Sequence, residues 1–266
     1  MNIQSAIIIG ANILKNKSIN SAKLDSEILL ATAIGKDRKH IILNYNQNIK
    51  ENDLKYFQKL INKRSYREPI AYLINKKYFW KYKFFVTRDT LIPRPDTELI
   101  VEQILKLTKL KATMKILDIG VGSGCILLTI LKERKSFYGV GVDISKKCLN
   151  ISKINAIKLK VNSRLKLYKS DVDKFNLGKY DLIVSNPPYI NNYKIKYLDS
   201  DVAKFEPKTA LDGGLDGLSE IRKVIKKASE LIKKNGKLVL EIGYDQKIKV
   251  TKLLKREGFY INTTQK

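Results

Sequence analysis

The chain has 266 residues, 44% of them apolar and 29% charged, and its 52 Lys and Arg against 26 Asp and Glu give a formal net charge of +26. This is the composition of a folded chain, long enough for one full α/β core with a smaller module beside it. Two cysteines, Cys125 and Cys148, cannot build a disulfide framework; a single histidine, His40, would have to serve any triad, dyad or His-rich zinc site; and no uncharged apolar run reaches the ~18 residues of a membrane span.

The N-terminal stretch is apolar but carries no Lys or Arg before Lys15, so it lacks the basic start of a signal peptide. The expectation is a cytoplasmic protein without a membrane partner. Of the cations, 43 are Lys and 9 Arg, spread along the chain with no run of five. Together with 34 Ile and 19 Asn this reads as an AT-rich coding bias on a solvated surface. A basic chain also admits a nucleic-acid or ribonucleoprotein partner.

Residues 1–68 read as helical. Apolar residues recur at helical spacing in Ile3, Ile7, Ala11 and Leu14, in Leu24, Ile28 and Ala31, and after Asp53 in Leu54, Phe57, Leu60 and Ile61. Residues 69–95 change character. Tyr78, Phe79, Trp80, Tyr82, Phe84, Phe85 and Val86 predict a β-hairpin connector that ends at Pro93 and Pro95. A helix is expected from Thr97 to about Leu110.

Over residues 96–266, short apolar runs then alternate with amphipathic segments. Strands are expected at 115–119, 137–142, 164–168, 180–185, 236–242 and 258–263. Helices are expected at 124–134, 146–158, 217–234 and 245–256. This alternation predicts a parallel sheet covered on both faces. The stretch 190–216 has little periodicity, which often marks a functional lid.

The sequence Leu117-Asp118-Ile119-Gly120-Val121-Gly122-Ser123-Gly124 follows a predicted strand and opens a helix. Its glycines let the backbone turn sharply and approach a ligand. The spacing departs from the dinucleotide fingerprint, because Cys125 stands where the third glycine belongs, and the Gly-Lys-Ser/Thr of a phosphate loop is absent. Asp143, at the expected end of the second strand, is placed to accept hydrogen bonds from ribose hydroxyls. A glycine loop and a strand-end acid without a phosphate grip fit S-adenosylmethionine. An ordinary tight turn with a surface Asp is the bland alternative.

The stretch Asp181-Leu182-Ile183-Val184-Ser185-Asn186-Pro187-Pro188-Tyr189 is the strongest signal. Proline cannot continue a central strand, so the chain must leave the sheet here, with Asn186 at the strand's carboxyl end. In the usual order this is the fourth strand, next to the first, which sets Asn186 beside the glycine loop. An amide or exocyclic amine nitrogen is a weak nucleophile because its lone pair is delocalised. The Asn186 side-chain oxygen and the Pro187 carbonyl can accept from its NH₂ and orient the lone pair, while Tyr189 lies on the planar group. Positioning and electrostatics then suffice, with no histidine base and no metal.

These motifs resemble the glutamine N5-methyltransferase family, and within it the peptide chain release factor methyltransferases. The similarity also runs through Asp25-Ser26-Glu27-Ile28-Leu29-Leu30, Glu68-Pro69-Ile70-Ala71-Tyr72, Phe79-Trp80 and Phe84. It continues in Leu91-Ile92-Pro93-Arg94-Pro95-Asp96-Thr97-Glu98, Phe205-Glu206-Pro207-Lys208-Thr209-Ala210-Leu211 and Gly213-Gly214-Leu215-Asp216-Gly217. The resemblance implies a Rossmann-like class I methyltransferase domain with a mostly parallel sheet, preceded by a small helical substrate-docking domain and the hairpin connector. The implied reaction moves a methyl group from S-adenosyl-L-methionine to the glutamine of a release factor's Gly-Gly-Gln motif. By motif match, Gly120, Val121, Gly122, Ser123, Gly124, Asp143 and Asn186 bind the cofactor. Val172 falls where many members stack a Trp near the adenine, so a weaker apolar contact is implied. Asn186, Pro187, Pro188 and Tyr189 hold the glutamine, with Asn186, Pro187 and Tyr189 catalytic. Residues 93–98 lie near the cofactor's mouth, although Arg94 and Glu98 also fit a plain helix start, with Glu98 at the positive end of the dipole. A monomer is expected.

Two departures from the family pattern stand out. Asn75 replaces a usual Gly, and Asn tolerates positive φ. The family continues past the sixth strand with a final antiparallel strand, whereas this sequence ends at Lys266, just after Ile261-Asn262-Thr263-Thr264. Three alternatives stay open. One is a nucleic-acid methyltransferase acting on adenine N6 or guanine N2, which the net charge favours. Another is the sister enzyme for a ribosomal protein's glutamine. The third is an inactive cofactor-binding interaction protein.

Overall fold

The computed structural model describes residues 1–265. In chain order the elements begin with α1 (Ile3–Lys15), α2 (Ala22–Ala33), α3 (Arg38–Leu43), α4 (Glu51–Ser65) and α5 (Ile70–Leu73), then the strands β1 (Lys77–Phe79) and β2 (Tyr82–Phe84). They continue with α6 (Glu98–Leu107), β3 (Lys115–Ile119), α7 (Cys125–Glu133), β4 (Tyr138–Asp143), α8 (Lys146–Lys158), β5 (Leu165–Lys169) and β6 (Tyr180–Ser185). The last are α9 (Ser200–Phe205), α10 (Ser219–Leu231), β7 (Ile232–Leu240) and α11 (Lys247–Arg256). The chain divides into two compact units, residues 1–75 with 199–205, and residues 76–198 with 206–266.

The first unit is helical. The Asn2 side chain caps α1 by accepting from the Ser5 N–H at 2.9 Å, and Glu51 and Asp53 complement the positive end of α4. Its core gathers Ile3, Ile7 and Leu14 with Leu29, Leu30, Phe57, Leu60 and Ile61, joined by Leu73 of α5. The α2 face differs from the expected one. Leu24 is exposed and Ile28 half-buried, while Asp25, Ser26, Leu29 and Leu30 point inward. The polar residues are tolerated there because each has a partner. Ser26 donates to the Ile7 carbonyl at 3.0 Å, and Arg64 donates to Asp25 at 2.7 Å and to Asp201 of α9 at 2.6 Å.

The second unit opens with the hairpin, whose Phe79 and Phe84 rings meet edge to face at 6.1 Å and pack among Ile100, Val101 and Ile104 of α6. The boundaries at 68/69 and 95/96 therefore shift. Residues 69–75 group with the helices, where Leu73 joins their core, and the hairpin belongs to the second unit instead of standing as a connector. Asn75 has φ +50°, as its replacement of glycine requires.

A five-stranded sheet forms the centre in the order β5-β4-β3-β6-β7, every pairing parallel. Alternate residues face opposite helical layers. Ile116, Leu182 and Val184 pack with α6, α7 and α8, while Leu117, Val140, Val142 and Ile183 pack with α10. The expected strand at 258–263 is not formed, and residues 257–265 carry no strand. The preceding strand also differs from its expected 236–242 range. Tyr180 pairs with Ile232 and Leu182 with Lys237, so residues 233–236 loop out of register around Asn235, at φ +64°. The stretch 190–216 is not structureless, since it holds α9 and short 3-10 turns at Asn192–Tyr197 and Lys208–Ala210.

Candidate active site

The order places β3 between β4 and β6, so successive connections leave it towards opposite sides. A crevice opens at the carboxyl ends of strands where this reversal occurs. Ile119 pairs with both Val142 and Ser185, which brings Gly120, Asp143 and Asn186 to the same end of neighbouring strands. Ser185 locks the register by donating its hydroxyl to the Ile119 carbonyl at 2.7 Å.

The glycine loop is held from behind. Gly120 and Val121 donate to the Val142 carbonyl at 2.9 and 3.0 Å. Ser152 and Asn155 of α8, both fully buried, donate to the carbonyls of Gly122 at 2.8 Å and Ser123 at 2.9 Å. Gly124 has φ +81° and an added Cβ there would stand 2.7 Å from Leu128, so only glycine serves at this start of α7. The loop's other side is open, for a Cβ on Gly120 would meet nothing within 4 Å. Val121 and Ser123 are buried beneath it. The loop residues 120–124 themselves include no lysine that could grip a pyrophosphate.

Asp143 accepts from the Gly122 N–H at 2.9 Å and the Ser145 N–H at 2.8 Å, one on each carboxylate oxygen. The carboxylate is thereby fixed, with acceptor capacity left over. Burial raises its pKa, opposed by those two N–H groups. Asp118, 1% exposed inside β3, is pushed up to about 7, chiefly by burial and also by the charge of Asp143, against a hydrogen bond from the Leu127 N–H in the first turn of α7. Its Oδ1 is buried with no hydrogen-bond partner among the described residues. Val172 is half-buried just beyond β5, packed against the cluster of Val140 and Val142.

The Asn186-Pro187-Pro188-Tyr189 segment leaves the sheet at the end of β6, as its prolines require. The Asn186 Nδ2 donates to the Thr97 hydroxyl at 3.2 Å. The Tyr189 hydroxyl donates to Glu241 Oε1 at 3.4 Å, and burial followed by the Glu241 charge pushes the phenol up to about 12. Gln246 donates from Nε2 to the carbonyls of Tyr189 and Gly217, each at 3.0 Å. Beyond Tyr189 the chain zips onto the glycine-rich stretch, where Ile190 donates to Leu211 at 3.1 Å and Gly213 to Ile190 at 2.8 Å.

Arg94 and Glu98 have structural partners. Arg94 donates to the buried Glu206 at 2.6 Å, and Glu98 accepts from the Trp80 N–H at 2.7 Å. His40, in the first unit, lies 3.0 Å from the Gln47 side chain. Among the described residues no group of His, Cys, Asp and Glu could hold a metal ion. Sequence reasoning missed Ser152, Asn155, Glu241 and Gln246. For Glu241 the signal was present, because an acid at a strand's carboxyl end is what singled out Asp143.

Residues 5–74 match the PrmC N-terminal domain model, and residues 95–202 match the methyltransferase small domain model. A release factor glutamine methyltransferase of Caulobacter vibrioides is 36% identical over 246 residues, covering 92% of this chain and 85% of the relative. One from Clostridium acetobutylicum is 37% identical over 269 residues, covering 100% of this chain and 94% of the relative. Among solved structures, a ribosomal protein L11 methylase from Lactobacillus delbrueckii subsp. bulgaricus superposes with a TM-score of 0.51 at 17% identity. It covers 71% of this chain and 83% of that one, which establishes a shared methyltransferase fold. With both segments matched and relatives of this identity aligned along nearly the whole chain, the protein belongs to the release factor glutamine methyltransferase family.

Proposed function

We propose that this chain transfers a methyl group from S-adenosyl-L-methionine to the side-chain N5 of the glutamine in the Gly-Gly-Gln motif of peptide chain release factors. The observation that carries this reading is the placement of Asn186-Pro187-Pro188-Tyr189 at the end of β6, beside the open glycine loop that follows β3. Gly120, Val121, Gly122, Ser123 and Gly124 hold the cofactor, Asp143 takes the ribose hydroxyls with its remaining acceptor capacity, and Val172 offers the adenine an apolar contact. When bound, the cofactor would supply a methyl group activated by a cationic sulfur: the S–CH₃ bond breaks to leave a neutral thioether as N5–CH₃ forms, and N5 gives up one N–H proton to solvent.

The rest is positioning. Asn186 Oδ1 and the Pro187 carbonyl accept the two N–H bonds of the glutamine amide and aim its lone pair. Asn186 also borders the cofactor. Pro187 and Pro188 keep the backbone out of the sheet, so that the Pro187 carbonyl has no strand partner. Tyr189 flanks the planar amide. Fixing the geometry lowers the entropic part of the barrier, and fixed acceptors favour the charge that develops on nitrogen. The helical unit docks the release factor, and the enzyme works as a cytoplasmic monomer. No helix among the described residues is long and apolar enough to cross a membrane.

The net charge of +26 is the observation that favours a nucleic-acid base as the alternative acceptor. The test is methyl transfer from labelled S-adenosyl-L-methionine to a purified release factor, beside its Gly-Gly-Ala variant and an adenine-containing DNA. Label on the unaltered factor alone is expected. Label on DNA instead overturns the glutamine reading.

A further inference from the structure

We infer that Glu241 and Thr97 are positioning residues that hold the Asn186 side-chain amide with its oxygen towards the substrate and steady the Tyr189 ring through its hydroxyl; the inference rests on the methyl-transfer reading above. Glu241 follows β7, and its N–H donates to the Ser185 carbonyl at 3.1 Å, so it stands beside the strand end that carries Asn186. Thr97 is 2% exposed and accepts from Asn186 Nδ2 at 3.2 Å. The Tyr189 hydroxyl reaches Glu241 Oε1 at 3.4 Å. Its Oε2 is buried with no hydrogen-bond partner among the described residues, and burial raises the Glu241 pKa against the favourable pull of the polar Thr97, Tyr189 and Asn186 side chains around it.

The donor and acceptor inventory decides the orientation. An ionised carboxylate only accepts. Thr97 Oγ1 is the acceptor that meets Asn186 Nδ2 at 3.2 Å, and the buried, unpartnered Glu241 Oε2 is a further acceptor on this side. The neighbours of Asn186 on this side are therefore acceptors, and they require the NH₂ end of the amide. The reversed amide would set oxygen against oxygen. With Nδ2 committed inward, Oδ1 is left as the acceptor that a glutamine NH₂ needs. Networks of this kind fix a conformation more firmly than any one bond in them.

Three variants test this. Glu241→Gln removes the acceptor-only character, Thr97→Val removes the hydroxyl at nearly constant shape, and Thr97→Ser keeps it. Single-turnover methyl transfer to the release factor, at saturating cofactor and factor, is expected to slow ~10-fold or more in Glu241→Gln and Thr97→Val, with Thr97→Ser within ~3-fold of the parent. Cofactor Kd and Tm should change little, which separates positioning from a merely structural role. A second readout needs no cofactor. In protein labelled with ¹⁵N-asparagine, the Asn186 side-chain NH₂ should exchange slowly in the parent and Thr97→Ser, and faster in the other two. Parent activity on the release factor with Glu241→Gln and Thr97→Val unimpaired overturns this inference alone. A parent that leaves the factor unlabelled overturns the methyl-transfer reading and this inference with it.

Discussion

The buried side-chain amide of Gln246 donates to the Tyr189 carbonyl at 3.0 Å, tying the start of α11 to the segment that leaves β6. The same nitrogen serves the Gly217 carbonyl, and Oε1 accepts from the Gly243 N–H at 2.9 Å. Space at this junction is tight. A Cβ on Gly217, at φ +72°, would lie 2.5 Å from the Tyr189 carbonyl oxygen. Gln246→Ala leaves two carbonyls short of a donor and should cost ~1–3 kcal/mol of stability, the scale for a buried unpaired polar group. Denaturant titration checks the cost. Turnover should fall with little change in cofactor affinity, because Asp143 and the glycine loop are not touched.

Asp118 makes stability depend on pH in an unusual direction. Its carboxyl is raised from 3.8 to about 7, so between those values the folded state holds a proton that the unfolded state has released. Stability therefore falls as pH rises through this window and levels off above about 7. From pH 5 to 7 the loss is on the order of 2–3 kcal/mol for two units of pH. Asp118→Asn mimics the protonated form and should remove the slope. Its Tm relative to the parent should rise between pH 5 and pH 8, and a constant difference contradicts the shift.

Asn186→Ala removes the acceptor that orients the glutamine amide. It should cost ~2–3 kcal/mol of transition-state stabilisation, roughly 30- to 150-fold in single-turnover rate. Activity within twofold of the parent refutes the assigned role.

The sequence carried the parts of this molecule that obey simple periodicity or backbone chemistry. The parallel strands from Lys115 to Ser185 alternate with amphipathic helices, and the glycine loop and the two prolines announce where the chain must turn or leave the sheet. The buried polar residues were illegible. Asp25 in α2 and Ser152 and Asn155 in α8 break the apolar pattern, because their partners lie far along the chain in Arg64, the Gly122 carbonyl and the Ser123 carbonyl. Periodicity counts apolar side chains and is blind to a hydrogen bond closed by distant residues. Arg94 and Glu98 fit a functional and a structural reading equally in the sequence for the same reason, because their partners, Glu206 and the Trp80 N–H, lie elsewhere along the chain.

Asp143→Ala should act on cofactor binding above all. The substitution deletes the ribose acceptors and also releases the Gly122 and Ser145 N–H groups, so the glycine loop loosens. Calorimetric titration should show affinity for S-adenosyl-L-methionine reduced ~10-fold or more, the scale of losing hydrogen bonds to a charged group. Unchanged affinity moves the ribose contact elsewhere.

Arg64 is the pivot of the helical unit. Its guanidinium, 9% exposed, joins Asp25 at 2.7 Å and Asp201 at 2.6 Å, and also donates to the Glu68 carbonyl at 3.2 Å. The two carboxylates raise the arginine's pKa against the opposing pull of burial, which is the strongest single influence. Asp25 has 6% side-chain exposure and cannot be rehydrated in place, whereas Asp201 has 28%. The two ends of the triad are therefore unequal. Arg64→Ala strands a buried carboxylate and should cost ~3–5 kcal/mol, while Asp201→Ala leaves the inner pair intact and should cost ~1 kcal/mol or less. Asp201 belongs to α9, which lies within the seven-residue stretch 199–205 that groups with the N-terminal helices and begins ten residues after Tyr189. Its loss should free that stretch for proteolytic cleavage before the unit itself unfolds. Limited proteolysis of the Asp201→Ala protein, read by mass spectrometry, should give first cuts within 199–205. Cuts elsewhere first mean that Asp201 is not what holds α9 in place.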